Sequence, residues 1–285
     1  MGTPMARNLL RAGHRVRLWN RNPQRAHALA ELHDNALVVA EPAQAAHGQV
    51  LFSMLADDVA VRQVLLEQGV LEALPAGSVH VNMATVSVAL ARELAVLHAE
   101  RGVAYVAAPV LGREDVAERA QLNILAAGDP AALERVQPLL EVLGQRTWPF
   151  GAEAAQANAA KLAANFCIAS AIGTMAEAAA LAQGHGIAPP QLLELLSNTL
   201  FAAPVYQVYG RLIAERRYEP AGFTATLGRK DVDLALQAAQ ARQVPMPLAE
   251  VLRSALDEAI AGGEGGHDWS VLAEVASRRA ARAAG

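Results

Sequence analysis

Two hydrophobic rhythms divide the chain near residue 151. Before it, short apolar runs alternate with helical patterns, as a sheet flanked by helices requires. Val16, Leu18 and Trp19 read as a buried strand. So do Leu37–Val39, Val50–Leu55, Val79–Asn82, Tyr105–Ala107 and Leu122–Ala126, with Trp148–Phe150 as a final edge strand. Met5, Leu9 and Leu10 recur at helical spacing ahead of the first strand, and Gly13 supplies a helix stop. A helix after Ala56-Asp57-Asp58 runs through Val64 and Leu65, and Thr85 or Ser87 can cap the one after Val79–Asn82. Beyond Gly151 the strand pattern ends. Residues 154–183 hold no proline and only Gly173, are rich in alanine and are apolar on most faces. They predict one long helix buried on nearly all sides, ended by Gly184 and Gly186. Further helices are predicted over 190–197, 205–217, 226–242 and 248–261, and a last one from Asp268-Trp269-Ser270. The expected fold is an α/β domain with a mostly parallel sheet (1–151), then an all-α domain (152–285), joined by the long helix.

The first 22 residues narrow the α/β class. A dinucleotide-binding βαβ unit begins with a strand, then a G-x-G-x-x-G turn, then a helix whose N-terminus faces pyrophosphate. Gly2 stands where the third glycine belongs; the first strand and two glycines are not in the sequence. The pattern is that of an N-terminally truncated Rossmann domain. It predicts that the start lies upstream of Met1, or that this form binds its cofactor weakly. After the strand at 16–19, the acidic residue that normally binds a ribose 2′-hydroxyl is replaced by Asn20 and Arg21. An amide and a guanidinium suit a 2′-phosphate, with Arg25 as a second support, which favours NADP(H) over NAD(H). The plainer alternative is a solvated loop arginine.

Composition removes several classes. The 285 residues are 53% hydrophobic with a net charge of −4, and no Lys/Arg block points to nucleic acid. One cysteine, Cys167, excludes an internal disulfide and fits a cytoplasmic setting. No signal peptide is evident, and no apolar stretch reads as membrane-spanning. The eight histidines are scattered without metal-ligand spacing.

Lys161 is the most pointed chemical candidate. Asn158 and Asn165, at i−3 and i+4, share its face of an otherwise apolar helix. Hydride transfer to a carbonyl needs a proton donor as the alkoxide develops. A lysine partly desolvated beside a cationic cofactor ring suits that task; a lysine snorkelling at a domain edge is the alternative. Lys230 could close over the cofactor from the helical domain, while Asp231 reads as a local cap or pair. Phe201, Tyr206 and Tyr209 read first as core and second as an apolar substrate wall.

Taken in order, these segments resemble the β-hydroxyacid dehydrogenases, which include 3-hydroxyisobutyrate dehydrogenase and the glyoxylate/succinic semialdehyde reductases. The resemblance rests on Met1-Gly2-x-x-Met5-Ala6-x-Asn8-Leu9, Trp19-Asn20-Arg21 and Thr85-Val86-Ser87. It continues through Ala108-Pro109-Val110-x-Gly112, Lys161-Leu162-x-x-Asn165 and Lys230-Asp231-x-x-Leu234-Ala235. It implies catalysis by Lys161 with Asn165 orienting substrate or lysine. It implies cofactor contacts at Gly2, Pro4, Met5, Asn20, Arg21, Met54, Leu55, Thr85 and Lys230. Substrate contacts would fall on Thr85, Leu111, Gly112, Arg113 and Tyr206, with no metal. A small carboxylic acid or aldehyde is the expected substrate, and a homodimer or homotetramer the expected assembly.

Three departures bear on substrate. The family's Asp-Ala-Pro-Val-Ser-Gly-Gly reads Ala107-Ala108-Pro109-Val110-Leu111-Gly112-Arg113, so a hydroxyl is lost and a cation gained. Arg113 could bind a substrate carboxylate in a bidentate manner, or pair with Glu114 or Asp115. Ala84 replaces the serine usual before Thr85, and Ala155 and Ala157 replace glycines usual before the lysine. Two other readings remain: an imine reductase, which usually carries Asp or Tyr where Lys161 stands, and a non-catalytic cofactor-binding scaffold. 6-Phosphogluconate dehydrogenase is related but needs a longer helical domain.

Overall fold

The computed structural model describes residues 1–284 and divides into two compact units, Met1–Lys161 and Leu162 onward. The division lies ten residues past the one expected from sequence. The reason is local: Ala154 and Ala157, at the start of the long helix, are packed into the core of the first unit.

The first unit opens with helix α1 (Gly2–Arg11) and strand β1 (Val16–Leu18). Gly13, at φ +88°, reverses the chain between them, a conformation that suits glycine. Then come α2 (Pro23–Ala30), β2 (Ala36–Val38), α3 (Pro42–Ala45), β3 (Val50–Ser53) and α4 (Asp58–Arg62). Helix α4 continues as a π-helical turn, Gln63–Glu67, before α5 (Val70–Ala73). The rest is β4 (Val79–Asn82), α6 (Val88–Ala99), β5 (Ala104–Ala107), β6 (Val110–Leu111), α7 (Glu114–Glu118), β7 (Leu122–Gly128), α8 (Pro130–Leu143) and β8 (Gly144–Pro149). Side-chain caps start several helices where short polar residues precede them: Asn22 for α2, Asp57 for α4, Ser87 for α6 and Asp129 for α8. Thr85, the other expected cap for α6, does not fill that role; Ser87 Oγ accepts from Leu90 N at 3.0 Å.

The sheet is less uniform than expected. Strands β1 and β2 form a parallel pair of their own, separate from a six-stranded sheet in the order β3-β4-β5-β7-β6, with β8 also on β7. Strands β3, β4 and β5 are parallel, but β7 runs antiparallel to β5 and β6. The short β6 had no visible pattern, since two residues carry no period. Strand β8 is an edge strand as expected, but starts at Gly144, because its parallel pairing with β7 continues to that strand's first residue. Alternation sorts the side chains of the larger sheet. Val50, Phe52, Val79, Val81 and Val106 face α1 and α8, while Leu51, Tyr105 and Ala107 face a core shared with α5 and α6. Helix α1 is shared between cores: Met5 and Leu9 pack with the larger sheet and Leu10 with the β1–β2 pair.

The second unit is helical. Helix α9 (Ala155–Gly184) runs 30 residues across the division. It is followed by α10 (Pro189–Asn198), α11 (Pro204–Ala214), α12 (Ala225–Gln240), α13 (Pro247–Ala259) and α14 (Leu272–Ala284). Their core includes Ile172, Met175, Leu193, Ile213, Val232, Leu252, Leu256 and Trp269. A Cβ at Gly228 would meet Trp269 Cε3 at 2.6 Å, so glycine lets α12 lie directly on the indole. Two sequence expectations for α9 need correction. It is not buried on nearly all sides: Ala159, Ala163, Cys167, Thr174, Glu177 and Leu181 form an exposed stripe at helical spacing. Abundant alanine had hidden this face, because alanine marks neither core nor surface. Nor is a membrane-length apolar stretch absent, since α9 is long and apolar enough to cross a membrane. Its other face is occupied in packing, with Ile172, Met175 and Ala176 in the helical core.

Candidate active site

Ligands of open parallel sheets bind beyond the carboxyl ends of the strands. In the first unit, β3 ends at Ser53 and delivers half-buried Met54 and Leu55; β4 ends at Asn82 and leads to half-buried Thr85. A Cβ at Gly2 would lie 3.8 Å from Met54 Cβ, which sets the first turn of α1 beside the end of β3. Among the described residues no side chain caps α1, so its leading N–H groups and positive dipole end are directed beyond the helix. Pro4 and Met5 are buried, Met5 within the core, so they shape this turn and present little side-chain surface. The loops after β3 and β4 are tied together, Ser87 N donating to Asp58 Oδ1 at 2.9 Å.

Asn20 and Arg21 follow β1. Asn20 Nδ2 donates to the Asn22 carbonyl at 2.8 Å, and Asn22 Oδ1 accepts from Gln24 N at 3.1 Å. These two bonds fold the loop that carries Arg21. Arg21 and Arg25 are both exposed, and neither pairs with a carboxylate among the described residues.

Beneath the carboxyl ends lies a buried polar chain that the sequence reading missed. Ser53 Oγ is 2.8 Å from His80 Nε2, His80 Nδ1 is 2.8 Å from His98 Nε2, and His98 Nδ1 is 2.6 Å from the Leu94 carbonyl. Asn82 Nδ2 donates to Tyr105 Oη at 3.0 Å, and Asn82 Oδ1 accepts from Ala84 N at 3.0 Å and lies 3.2 Å from Ser53 Oγ. Burial pushes His80 well below the ordinary histidine range, and the neighbouring His98 pushes the same way. Burial lowers His98 to about 4, against the opposing pull of the Leu94 carbonyl. Tyr105 is raised, chiefly by burial. The signal was available in phase: His80 lies between Val79 and Val81 in a fully buried strand, and His98 continues the stripe Leu90, Ala91, Leu94.

Polar groups are also buried along α9 and, within the second unit, between α9 and α12. Asn158, Lys161 and Asn165 are 1%, 8% and 5% exposed, so all three polar groups are withdrawn from water. Asn158 Oδ1 is buried with no hydrogen-bond partner among the described residues. Within the second unit, Asn165 Nδ2 donates to Asp231 Oδ2. Lys230 Nζ lies 3.2 Å from Asp231 Oδ1. Asp231 is therefore more than the local cap expected from sequence: it is 2% exposed and joins two residues singled out for chemistry. Its helical phase, shared with Gly228, Leu234 and Ala235, placed it on the buried face of α12.

The remaining expected residues lie on other elements of the two units. Leu111 ends β6 and packs partly into the core beside α6. Gly112, at φ +143°, has no room for a Cβ, which would meet Leu122 Cδ2 at 2.7 Å. Arg113 is half-buried at the N-cap of α7, and Asp115 pairs with Arg119 at 2.9 Å. Tyr206 packs against the helical core with its ring 4.9 Å from that of Phe201, while Tyr209 belongs to that core.

Comparison with known proteins gives this arrangement a family. Residues 1–169 match the NAD-binding domain of 6-phosphogluconate dehydrogenase, and residues 155–276 match the NAD-binding region of NADP-dependent 3-hydroxyisobutyrate dehydrogenase. The chain is 40% identical to the uncharacterized oxidoreductase YfjR of Bacillus subtilis, covering 95% of each chain. It is 31% identical to glyoxylate/succinic semialdehyde reductase 1 of Arabidopsis thaliana, over 96% of this chain and 94% of that one. Among solved structures, 3-hydroxyisobutyrate dehydrogenase of Mycobacterium tuberculosis with L-serine superposes with a TM-score of 0.85 at 28% identity, covering 96% and 94% of the two chains. A reductive aminase of Aspergillus terreus with NADPH and ethyl levulinate, also 28% identical over 96% and 95%, reaches only 0.62. The chain belongs to the β-hydroxyacid dehydrogenase family of NAD(P)-dependent oxidoreductases.

Proposed function

We propose that the protein is an NADP(H)-dependent reductase that interconverts a small β-hydroxyacid and the matching aldehyde or keto acid, with Lys161 as general acid and base. One observation carries this reading: an ammonium and two amides are buried on one face of α9, and the Asn158 oxygen has no hydrogen-bond partner among the described residues. Burying such groups costs several kcal/mol unless a ligand or neighbour satisfies them. The nicotinamide, when bound, supplies or accepts the hydride. Lys161 Nζ gives a proton to the substrate oxygen in reduction and takes it back in oxidation. Asn165, held by Asp231, offers its amide oxygen to the lysine or the substrate. Lys230 serves the nicotinamide end of the cofactor, and Thr85, Leu111, Gly112, Arg113 and Tyr206 serve the substrate.

The residues present fit the cofactor. The uncapped start of α1 suits pyrophosphate, and the exposed Arg21 and Arg25 suit a 2′-phosphate. The test is NADPH oxidation over a panel including glyoxylate and succinic semialdehyde, run beside NADPH binding. Binding without turnover of any carbonyl acid would favour the scaffold reading. For cofactor choice, Arg21→Ala is expected to raise KM for NADPH by about tenfold, equivalent to about 1.4 kcal/mol, with little effect on NADH. An equal loss with both cofactors would sink the 2′-phosphate role.

A further inference from the structure

Along the Ser53–His80–His98 relay, three protons face four acceptors: the Leu94 carbonyl, His98 Nε2, His80 Nε2 and Asn82 Oδ1. The Leu94 carbonyl can only accept, so His98 carries its proton on Nδ1 and, when neutral, accepts on Nε2. His80 must then donate from Nδ1 and accept on Nε2. The one proton left to fill that position is the Ser53 hydroxyl, at 2.8 Å. Asn82 Oδ1, 3.2 Å from the same hydroxyl, competes for the same proton. Its dependable donor is Ala84 N, two residues along its own chain. Asn82 thereby closes the turn that leaves β4, and Tyr105 anchors its amide from the other side. Five polar side chains converge in an apolar layer, where a satisfied network fixes one arrangement and an unsatisfied one is costly. What they fix is the start of the segment Ala84–Ser87, which includes Thr85 and is tied to the β3 loop through Asp58.

We propose that Asn82, aligned by Ser53 and the His80–His98 pair, is a positioning residue that holds the β4 turn, and with it Thr85, in the shape that receives the nicotinamide cofactor. The proposal rests on the reading of the strand ends as the cofactor site. Asn82 is itself 1% exposed, so it acts through the backbone of Ala84 and not by touching the ligand.

The experiment is fluorescence titration of the full chain with NADPH, without substrate, beside thermal unfolding. Asn82→Ala removes the acceptor for Ala84 N and is expected to weaken NADPH binding by about tenfold or more. Asn82→Asp keeps that acceptor, with Tyr105 free to turn its hydroxyl toward it, and is expected to restore binding to within about threefold. Val81→Ala opens a cavity on the opposite face of the same strand, where Val81 is fully buried, and is expected to lower Tm while leaving Kd unchanged. Ser53→Ala, a one-atom deletion, keeps the test usable should Asn82→Ala not fold; it is expected to weaken binding in the same direction by about threefold. Asn82→Ala and Val81→Ala weakening NADPH equally, Asn82→Asp failing to restore it, or Ser53→Ala leaving it unchanged would each overturn the positioning role. Unmutated protein that binds neither NADPH nor NADH would overturn the cofactor assignment itself, and the proposal with it.

Discussion

Two sets of buried polar side chains among the described residues are built on opposite terms. Under the first unit's sheet, Ser53, His80, Asn82, His98 and Tyr105 satisfy one another almost entirely, and burial keeps the two imidazoles neutral. At the start of α9, Lys161 is buried along the same helix face as the Asn158 oxygen, which has no hydrogen-bond partner among the described residues; within the second unit, Lys230 and Asp231 bring a cation and an acid together. A closed neutral network spends its hydrogen-bonding capacity on shape. A cluster with a lysine and an orphan acceptor keeps capacity in reserve for something that arrives later. On the proposed mechanism, the difference separates groups that hold from groups that react.

Breaking each cluster should expose that difference. The largest effect is expected from Lys161→Met: kcat falls about 10²- to 10⁴-fold, the range for loss of a general acid, while Kd for NADPH holds and Tm does not fall. A drop in Tm with kcat intact would make Lys161 structural. Next is Asp231→Ala, which strips Asn165 and Lys230 of a shared partner. Loss of one member of a buried ionic pair is expected to cost about 3 kcal/mol in chemical denaturation, and kcat is expected to fall with it. An unchanged denaturation midpoint would show that the cluster is looser than its burial implies.

The last effect is of comparable size in all but is spread over more than two pH units. His98 sits at about 4 in the folded chain against an ordinary 6.5, because burial disfavours its charged form and Arg101 repels it. As pH falls below 6.5 the unfolded chain takes up the proton first. The stabilising difference is therefore complete above 6.5 and is lost progressively toward 4, about 3 kcal/mol in all for this one group. His80, beside it, steepens the same slope, while Asp58 is the carboxylate felt by neighbouring Tyr105. His98→Gln, which cannot titrate, is expected to flatten stability between pH 6.5 and 4. A slope identical to that of the unmutated chain would assign acid sensitivity elsewhere.

Much of the fold was legible because its elements are long or strongly patterned. Helix α9 was predicted within one residue at each end, since proline is absent and glycines follow it. Strand β4 matched at both ends, as a four-residue run with a polar stop. Strand β6 and the start of β8 were not legible, because their pairing is set by β7, a distant partner. The exposed stripe of α9 was hidden by alanine. Lys161 and Asn165 stood out as polar breaks in an apolar helix. Asp231 did not, because beside Lys230 it mimicked a surface ion pair, and only helical phase placed it inside. The His80–His98 pair was illegible for another reason: 18 residues separate the two, and the contact requires α6 to fold back over β4.

Helix α1 serves two cores, with Met5 and Leu9 under the larger sheet and Leu10 under the β1–β2 pair. Two strands of three residues each do not hold together unaided in water. The flap they form, with Arg21 at its tip, keeps its shape only while it stays docked on that helix. Under the proposed 2′-phosphate role of Arg21, specificity for the far end of the nucleotide would thus be carried by the least self-sufficient piece of the unit. Local unfolding there would erase the arginine's placement while leaving β3, β4 and β5 intact. Seen this way, α1 is a hinge pin, and a dinucleotide reaching from its first turn to Arg21 would act as a latch across it.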